Sequence, residues 1–424
     1  MTSPTNHRSF TVGGTIRPAA FAFLLALALS VTTSQVTQAQ TFSVVHNFTG
    51  GQDGATPWVG LTMDEAGNFY GDASAGGSSD FGVVFKLTQK NASWIFTPLY
   101  SFQGGNDGSD PQARVIIGPD GSLYGTTTSG GTGCNGCGTI FNLRPQPSAC
   151  SHAICAWNKT VLYSFSRGDG FVPSGDIIFD QAGAIYGTTS QGGAYGWGAV
   201  YKLTPSGGSW TESVLYNFTG GNDGANPLGG VIFDQSGRLH GTAYSGGLGG
   251  GVIFQLTPVG SGWSDDTLYT FQSRSDGGGL WGGLITDKLG NLYGATLVFG
   301  SGGGGTVYEL TPVGRSGWEF TVLNSFTGST GPLNSNLVMD AAGNLYGTTY
   351  NDGAHNLGSV FKLTPSGGGW TYTDLHDFTG GSDGGKPQSN VTFDANGNLY
   401  GTASEGGTGS QCNGGCGVVW EITP

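Results

Sequence analysis

The sequence predicts an all-β fold, a seven-bladed β-propeller of four-stranded antiparallel blades closed by an N-terminal strand. Three observations carry that expectation. A turn followed by a strand, as in Asp394-Ala395-Asn396-Gly397-Asn398-Leu399-Tyr400-Gly401-Thr402, occurs seven times, with the glycine after the aromatic at positions 71, 125, 187, 241, 294, 347 and 401. The steps of 54, 62, 54, 53, 53 and 54 residues are self-similarity at a fixed period, which decides architecture before any local reading. Each unit also holds four short runs of β-branched and aromatic residues, and seven four-stranded units fall within the usual range of a propeller.

Composition narrows the class. The 82 glycines lack the three-residue period of collagen, and 24 Phe, 16 Tyr and 10 Trp are too much apolar surface for a disordered glycine-rich chain. A net charge of -13 disfavours nucleic acid, whose phosphates require basic patches. It suits cations, neutral glycans or proteins.

Residues 1–39 read as a secretory signal peptide. Arg8 and Arg17 form its positive region and Ala19 to Val31 an apolar run too short to span a bilayer. Small residues Thr37 and Ala39 precede a cut at Gln40. The mature chain, 40–424, holds no other stretch able to span a membrane, so it is expected to be secreted or periplasmic and monomeric. Its first element is a lone strand, Thr41 to Phe48, which repeats the end of a longer segment starting at Trp94, Trp157, Trp210, Trp263, Trp318 and Trp370.

Every unit then runs alike. In the fourth, a glycine-rich loop (Thr219 to Gly224) leads to strand A (Gly230 to Phe233), then to the turn Asp234-Gln235-Ser236-Gly237. Asp bonds the backbone ahead in such turns, and Gly accepts positive φ. Strand B is Arg238 to Ala243. A second glycine-rich loop precedes strand C (Gly251 to Pro258), and a tight turn precedes strand D (Trp263 to Phe271). The chain stops after strand C of the seventh unit, at Pro424, so Thr41–Phe48 is the missing outer strand and ties the termini together. An open array would leave an unpaired edge at each end.

Tyr-Gly-Thr in strand B, Gly358 to Pro365 in strand C and Phe378-Thr379-Gly380-Gly381 together resemble the Gloeo/Verruco (GloVer) tandem-repeat family over essentially the whole mature chain. That resemblance implies an exported bacterial repeat protein, often with a C-terminal surface anchor, a pattern from which this sequence departs by ending at Pro424. It implies no activity. Gly192-Gly193 after strand B, Tyr201 in strand C and Trp210 in strand D also look kelch-like, which supports the propeller and transfers no chemistry.

In such a ring the loops from D to A and from B to C share one face. Site residues are sought where the repeats disagree. The fourth residue before the A–B turn reads Gly60, Arg114, Asp176, Gly230, Gly283, Asn336 and Asn390; two residues earlier it reads Trp58, Gln112, Ser174, Leu228, Trp281, Asn334 and Gln388. The next residue is always apolar, from Leu61 to Val391, so the inner strands have uniform cores and variable mouths. Trp58, Gln112, Arg114, Asp176, Trp281, Asn334, Asn336, Gln388 and Asn390 are therefore the ligand-binding candidates, with Arg114 and Asp176 placed to pair across adjacent blades. The alternative is that these residues merely plug the channel. One Asp precedes Gly in six D–A loops (Asp53, Asp107, Asp169, Asp223, Asp276, Asp383). They form a weak Ca2+ candidate, since a calcium site needs several converging oxygens and Asp-Gly is an ordinary turn device. No catalytic set stands out, and His46, His240 and His376 occupy positions that are aromatic in other repeats.

Six cysteines form three close pairs: Cys134 with Cys137, Cys150 with Cys155, and Cys412 with Cys416. The first two pairs resemble a zinc site, but strand C separates them by roughly 25 Å at about 3.3 Å per residue. Export favours oxidation, so three local disulfides are expected. The leading functional expectation is a non-enzymatic binding or scaffold propeller, without cofactor, recognising a glycan or protein at the loop-rich face. A polysaccharide hydrolase or lyase and a structural matrix component are the alternatives.

Overall fold

The computed structural model describes residues 40–134, 136–146, 157–314, 317–333 and 336–424. The expected leader and Asn334 lie outside the described residues. So do Cys150 and Cys155, and with them the third of the expected disulfides. The described chain forms seven four-stranded antiparallel sheets, each in the order A, B, C, D from the innermost strand outward. Blade four, for example, is Ile232–Phe233, Leu239–Ala243, Val252–Val259 and Gly262–Thr270. One 3-10 turn at Gly105–Asp107 is the only helical element among the described residues. No helix there is long and apolar enough to cross a membrane.

The A–B turn is built by its own side chains. Asp234 Oδ1 accepts the N–H of Ser236 at 2.8 Å and of Arg238 at 2.9 Å, which folds the backbone back on itself. The same carboxylate then anchors strand B: Tyr186 OH donates to Asp180 at 3.1 Å, and in blade four His240 Nε2 lies 3.4 Å from Asp234. His240 thus stands in for the repeat's tyrosine.

The recurrent glycine of strand B has a packing cause. The aromatic ring of strand C lies directly over it. A Cβ at Gly71 would meet the Phe85 ring at 2.6 Å, and one at Gly241 the Phe254 ring at 2.5 Å.

Strand A is shorter than expected, with only two residues paired to strand B in every blade. The residues before it turn toward the neighbouring blades instead. A Cβ at Gly175 would meet the Gly229 backbone at 2.6 Å, and one at Gly229 the Gly282 backbone at 2.7 Å. The inner segments of blades three, four and five therefore touch backbone to backbone, which only glycine permits.

Closure is as the termini predict. Thr41–Asn47 pairs antiparallel with Val418–Thr423, Phe42 facing Ile422 and Asn47 facing Val418. The apolar core is divided among the blade boundaries. Tyr70, Val84 and Phe102 of blade one pack on Val115, Leu123 and Phe141 of blade two. The boundary made by closure is equivalent, with Phe48 and Tyr400 of blade seven against Leu61, Phe69 and Phe85 of blade one. The disulfide Cys412–Cys416 (Cα–Cα 5.1 Å) buttresses this boundary, and Cys134–Cys137 (5.5 Å) lies in the B–C loop of blade two.

Candidate functional site

The D–A and B–C loops meet on one face. Each D–A loop forms an antiparallel bridge to the B–C loop of its neighbouring strands, as between Ala225 and Ser245 or Gly385 and Glu405. At the axis of this face the variable residues converge. Arg114 of blade two pairs with Asp176 of blade three, Nη2 to Oδ2 3.2 Å, and its backbone N–H donates to Asp176 Oδ1 at 3.0 Å. Asn336 of blade six reaches the same carboxylate, Nδ2 to Oδ2 3.4 Å, while its Oδ1 accepts the Gly283 N–H of blade five. Arg114 and Asn336 thus share one oxygen of Asp176, which lies 160 positions from Asn336 in sequence.

The other candidates surround this knot in different ways. Gln112 Nε2 donates to Asp110 at 2.8 Å. Gln388 and Asn390 are buried, and Gln388 donates to Ser404 at 3.3 Å. Trp281 is half-buried, edge-on to Tyr244 at 5.7 Å. Trp58 is half-buried too, and its buried Nε1 has no acceptor among the described residues. Arg114 Nε is likewise unpartnered.

The structure adds an acid that the mouth positions did not contain. Asp72, in strand B of blade one, is 1% exposed, and neither of its oxygens has a hydrogen-bond partner among the described residues. Burial, then the charges of Asp176 and Asp110, raise its carboxyl well above the usual range. Blade five has Ala295 here, and the other five blades have a threonine whose hydroxyl donates to a backbone carbonyl of the next blade, as Thr188 to Gly229, Thr242 to Gly282 and Thr402 to Val59, at 2.8, 2.8 and 2.9 Å. The departure from threonine at Asp72 was visible from repeat to repeat. Its closeness to Asp110 and Asp176 was not.

Nearer the rim, a repeated joint links successive blades, and the six D–A loop aspartates belong to it. Tyr100 OH donates to Asp107 at 2.8 Å and Tyr216 OH to Asp223 at 3.0 Å, while His46 and His376 Nε2 lie 3.2 Å from Asp53 and Asp383. Tyr163 and Tyr269 bond Asp169 and Asp276. The same carboxylates accept backbone N–H groups of their own loops, from Thr49 at 2.9 Å to Ser166 at 2.7 Å. Each is dispersed to its own boundary. Among the described residues no group of three or more His, Cys, Asp or Glu side chains is placed to hold a metal ion.

The joint's third member comes from strand D of the next blade. It is a ring at Phe96, Phe320, Tyr372 and Phe42, but Lys159, Glu212 and Asp265 elsewhere. Lys159 is buried and pairs with Asp107 at 3.0 Å. Burial, reinforced by Asp169, pushes Glu212 up to about 7; burial, reinforced by Asp223, pushes Asp265 up to about 6. Between blades five and six the aspartate is missing, and a cavity of about 400 Å³ opens, lined by Asn324, Thr327, Asp352, Tyr372 and Asp374 among others. On the opposite face a groove of about 750 Å³ runs between the turns of blades four and five, past Arg238, His240, Lys288 and Trp318. Arg238 and His240 there are engaged by Asp234.

No curated protein matches the sequence. Solved structures to which the chain shows similarity include a provisionally named oxidoreductase (glucose dehydrogenase) from Thermus thermophilus, at 15% identity and TM-score 0.40, covering 91% of this chain and 100% of that one. A provisionally named 6-phosphogluconolactonase from Bacteroides uniformis matches at 14% identity and TM-score 0.47, covering 77% and 85%. A protein of unknown function from Dyadobacter fermentans matches at 10% identity and TM-score 0.44, covering 90% and 96%. At such identities nothing of their chemistry carries over. The sequence profile of the Gloeobacter/Verrucomicrobia repeat matches residues 30–156, 152–277 and 249–424. Those matches extend across every blade, and the chain belongs to the Gloeobacter/Verrucomicrobia repeat family.

Proposed function

We propose that the protein is an exported, cofactor-independent binding propeller that takes a glycan or a protein segment at the axial mouth of its loop-rich face. The observation that carries this reading is the meeting of Arg114, Asp176 and Asn336, from three blades, on one carboxylate. Positions at which the repeats differ are gathered where a ligand would touch several blades at once. Trp58 and Trp281 supply apolar surface beside donors and acceptors, the mixture that polar ligands with a flat face require. Export rests on the N-terminal pattern and agrees with the disulfides Cys134–Cys137 and Cys412–Cys416.

A second reading, a polysaccharide hydrolase or lyase, draws on Asp72. A carboxyl shifted by burial toward its acid form, near an ion-paired carboxylate, matches the division of roles that glycoside cleavage uses. A glycan array combined with a polysaccharide-degradation screen separates the readings. Binding without turnover, weakened by Arg114→Ala, is the expected result. Turnover abolished by Asp72→Asn selects the enzyme, and neither binding nor turnover selects a structural component of a surface or matrix.

A further inference from the structure

Three blade boundaries repeat one arrangement of rings. Phe320 stacks on Tyr269 (4.1 Å, 9°) while Phe271 meets it edge-on and Tyr308 lies behind it. Phe96 stacks on His46 (4.1 Å, 15°), with Phe48 edge-on and Phe85 behind. Phe42 stacks on His376 (3.7 Å, 8°), with Phe378 edge-on and Trp420 behind. Each outward-lying ring is thus covered on its second face by a ring from the preceding blade.

Tyr372 occupies the same place between blades five and six. Its two inner partners are present, Phe326 edge-on at 6.1 Å and Phe361 behind at 6.1 Å. The covering ring is not, because the residue there is Asn324. The aspartate that would tie that ring is missing too, since Ser329-Thr330-Gly331 replaces the Asp-Gly pair. What remains is the cavity of about 400 Å³ over the ring, with Tyr372 still 37% exposed. We propose that this vacancy is a saccharide subsite, in which the apolar face of one pyranose ring lies on Tyr372 and its hydroxyls bond Asn324, Asp352 and Asp374.

The lining chooses among flat ligands. Asp374 already accepts the His376 N–H and bonds Asp377, but a purely aromatic ligand would cover the ring and offer no partner to the polar groups of Asn324, Thr327 and Asp352 at its rim, which is costly on desolvation. A phosphorylated or nucleotide ligand meets carboxylates and a net charge of -13. A pyranose offers a C–H face to the ring and several hydroxyl donors to the acceptors around it. The volume lies within the 300–1,000 Å³ range usual for small-ligand sites. This subsite stands apart from the axial mouth and does not depend on it.

The test uses the full chain and saturation-transfer difference NMR with cellotetraose, xylotetraose, mannotetraose and diacetylchitobiose at millimolar concentration, and arginine amide as a cationic control. At least one saccharide is expected to bind with its ring protons receiving the strongest transfer. Tyr372→Ala should raise the dissociation constant, read by titrating that signal, at least about tenfold, a loss of about 1.4 kcal/mol, and Tyr372→Phe should keep it. Asn324→Tyr supplies the missing ring in the pattern of Tyr269 on Phe320. It should abolish binding while leaving the melting temperature unchanged or higher, which excludes misfolding as the cause. Absence of signal from all four saccharides, binding of arginine amide alone, or binding that survives both Tyr372→Ala and Asn324→Tyr would overturn the proposal.

Discussion

Asp72 is where a single residue departs most from the rules of its own repeat. A carboxyl with no hydrogen-bond partner among the described residues, enclosed at the boundary of blades one and two, costs on the order of 1–3 kcal/mol by comparison with buried polar groups elsewhere. Threonine at the equivalent position donates to the next blade instead. Asp72→Thr is therefore expected to raise stability by about that amount at pH 7, measured by urea unfolding. The folded carboxyl titrates well above its unfolded value, so the native state holds the proton longer. The gain from threonine should accordingly grow from pH 4 upward, and a gain independent of pH would show that Asp72 is not the buried acid described. Glu212 makes the same argument with a value attached. Its carboxyl is pushed up to about 7, so between the unfolded carboxylate range and pH 7 the native state binds more protons than the unfolded one. Its contribution is present at low pH and is lost as pH rises through about 7. Glu212→Gln should melt close to the wild type at pH 5 and above it at pH 8. The histidines work in the opposite sense, since burial lowers His46, His240 and His376, so only the difference between variant and wild type isolates Glu212.

At the scale of the element, the N-terminal strand is the one on which the others depend. Thr41–Asn47 makes the outer strand of blade seven and brings Phe48 into the core at full burial. It also supplies His46 to the ring stack on Phe96. Fully burying a side chain such as Phe48 stabilises by about 1.5–3 kcal/mol, a large share of the 5–15 kcal/mol net stability typical of folded proteins. Deleting residues 40–49 should therefore lower the melting temperature markedly and expose the edge of Val418–Thr423 to pairing with other chains. A deletion variant that melts like a chain of residues 40–424 and shows no added association by light scattering would contradict the closure. Much of this was legible in the sequence alone. The aspartate turn, the glycine under a ring and the orphan strand are local or periodic, and each recurs often enough to be read as a rule. The length of strand A was not legible, because Gly175 and Gly229 leave the sheet to meet backbones in other blades.

For the whole molecule, closure makes seven boundaries from seven blades, each with its own apolar cluster. An open stack of repeats can fray from either end, whereas a ring has no end from which to begin. The full chain should unfold in one transition whose calorimetric and van't Hoff enthalpies agree. The 40–49 deletion should separate them, because it reopens the boundary at Phe48 and Leu61. Two resolved transitions in the intact protein would show that the blades do not act as one body.

The sequence by itself determined the blade count, the order of strands, the closing strand and the positions at which the repeats vary. These depend on turn chemistry and on burial within one repeat, and both are written into neighbouring residues. Only the tertiary structure decided which variable residues meet. Asp176 shares its carboxylate with Arg114 and Asn336, Asp72 lies near Asp110 and Asp176, and the uncovered face of Tyr372 is set by Asn324 of the preceding blade. Such contacts arise from the angle and spacing at which blades pack into a ring, and no local pattern encodes which side chain stands across a boundary or across the axis.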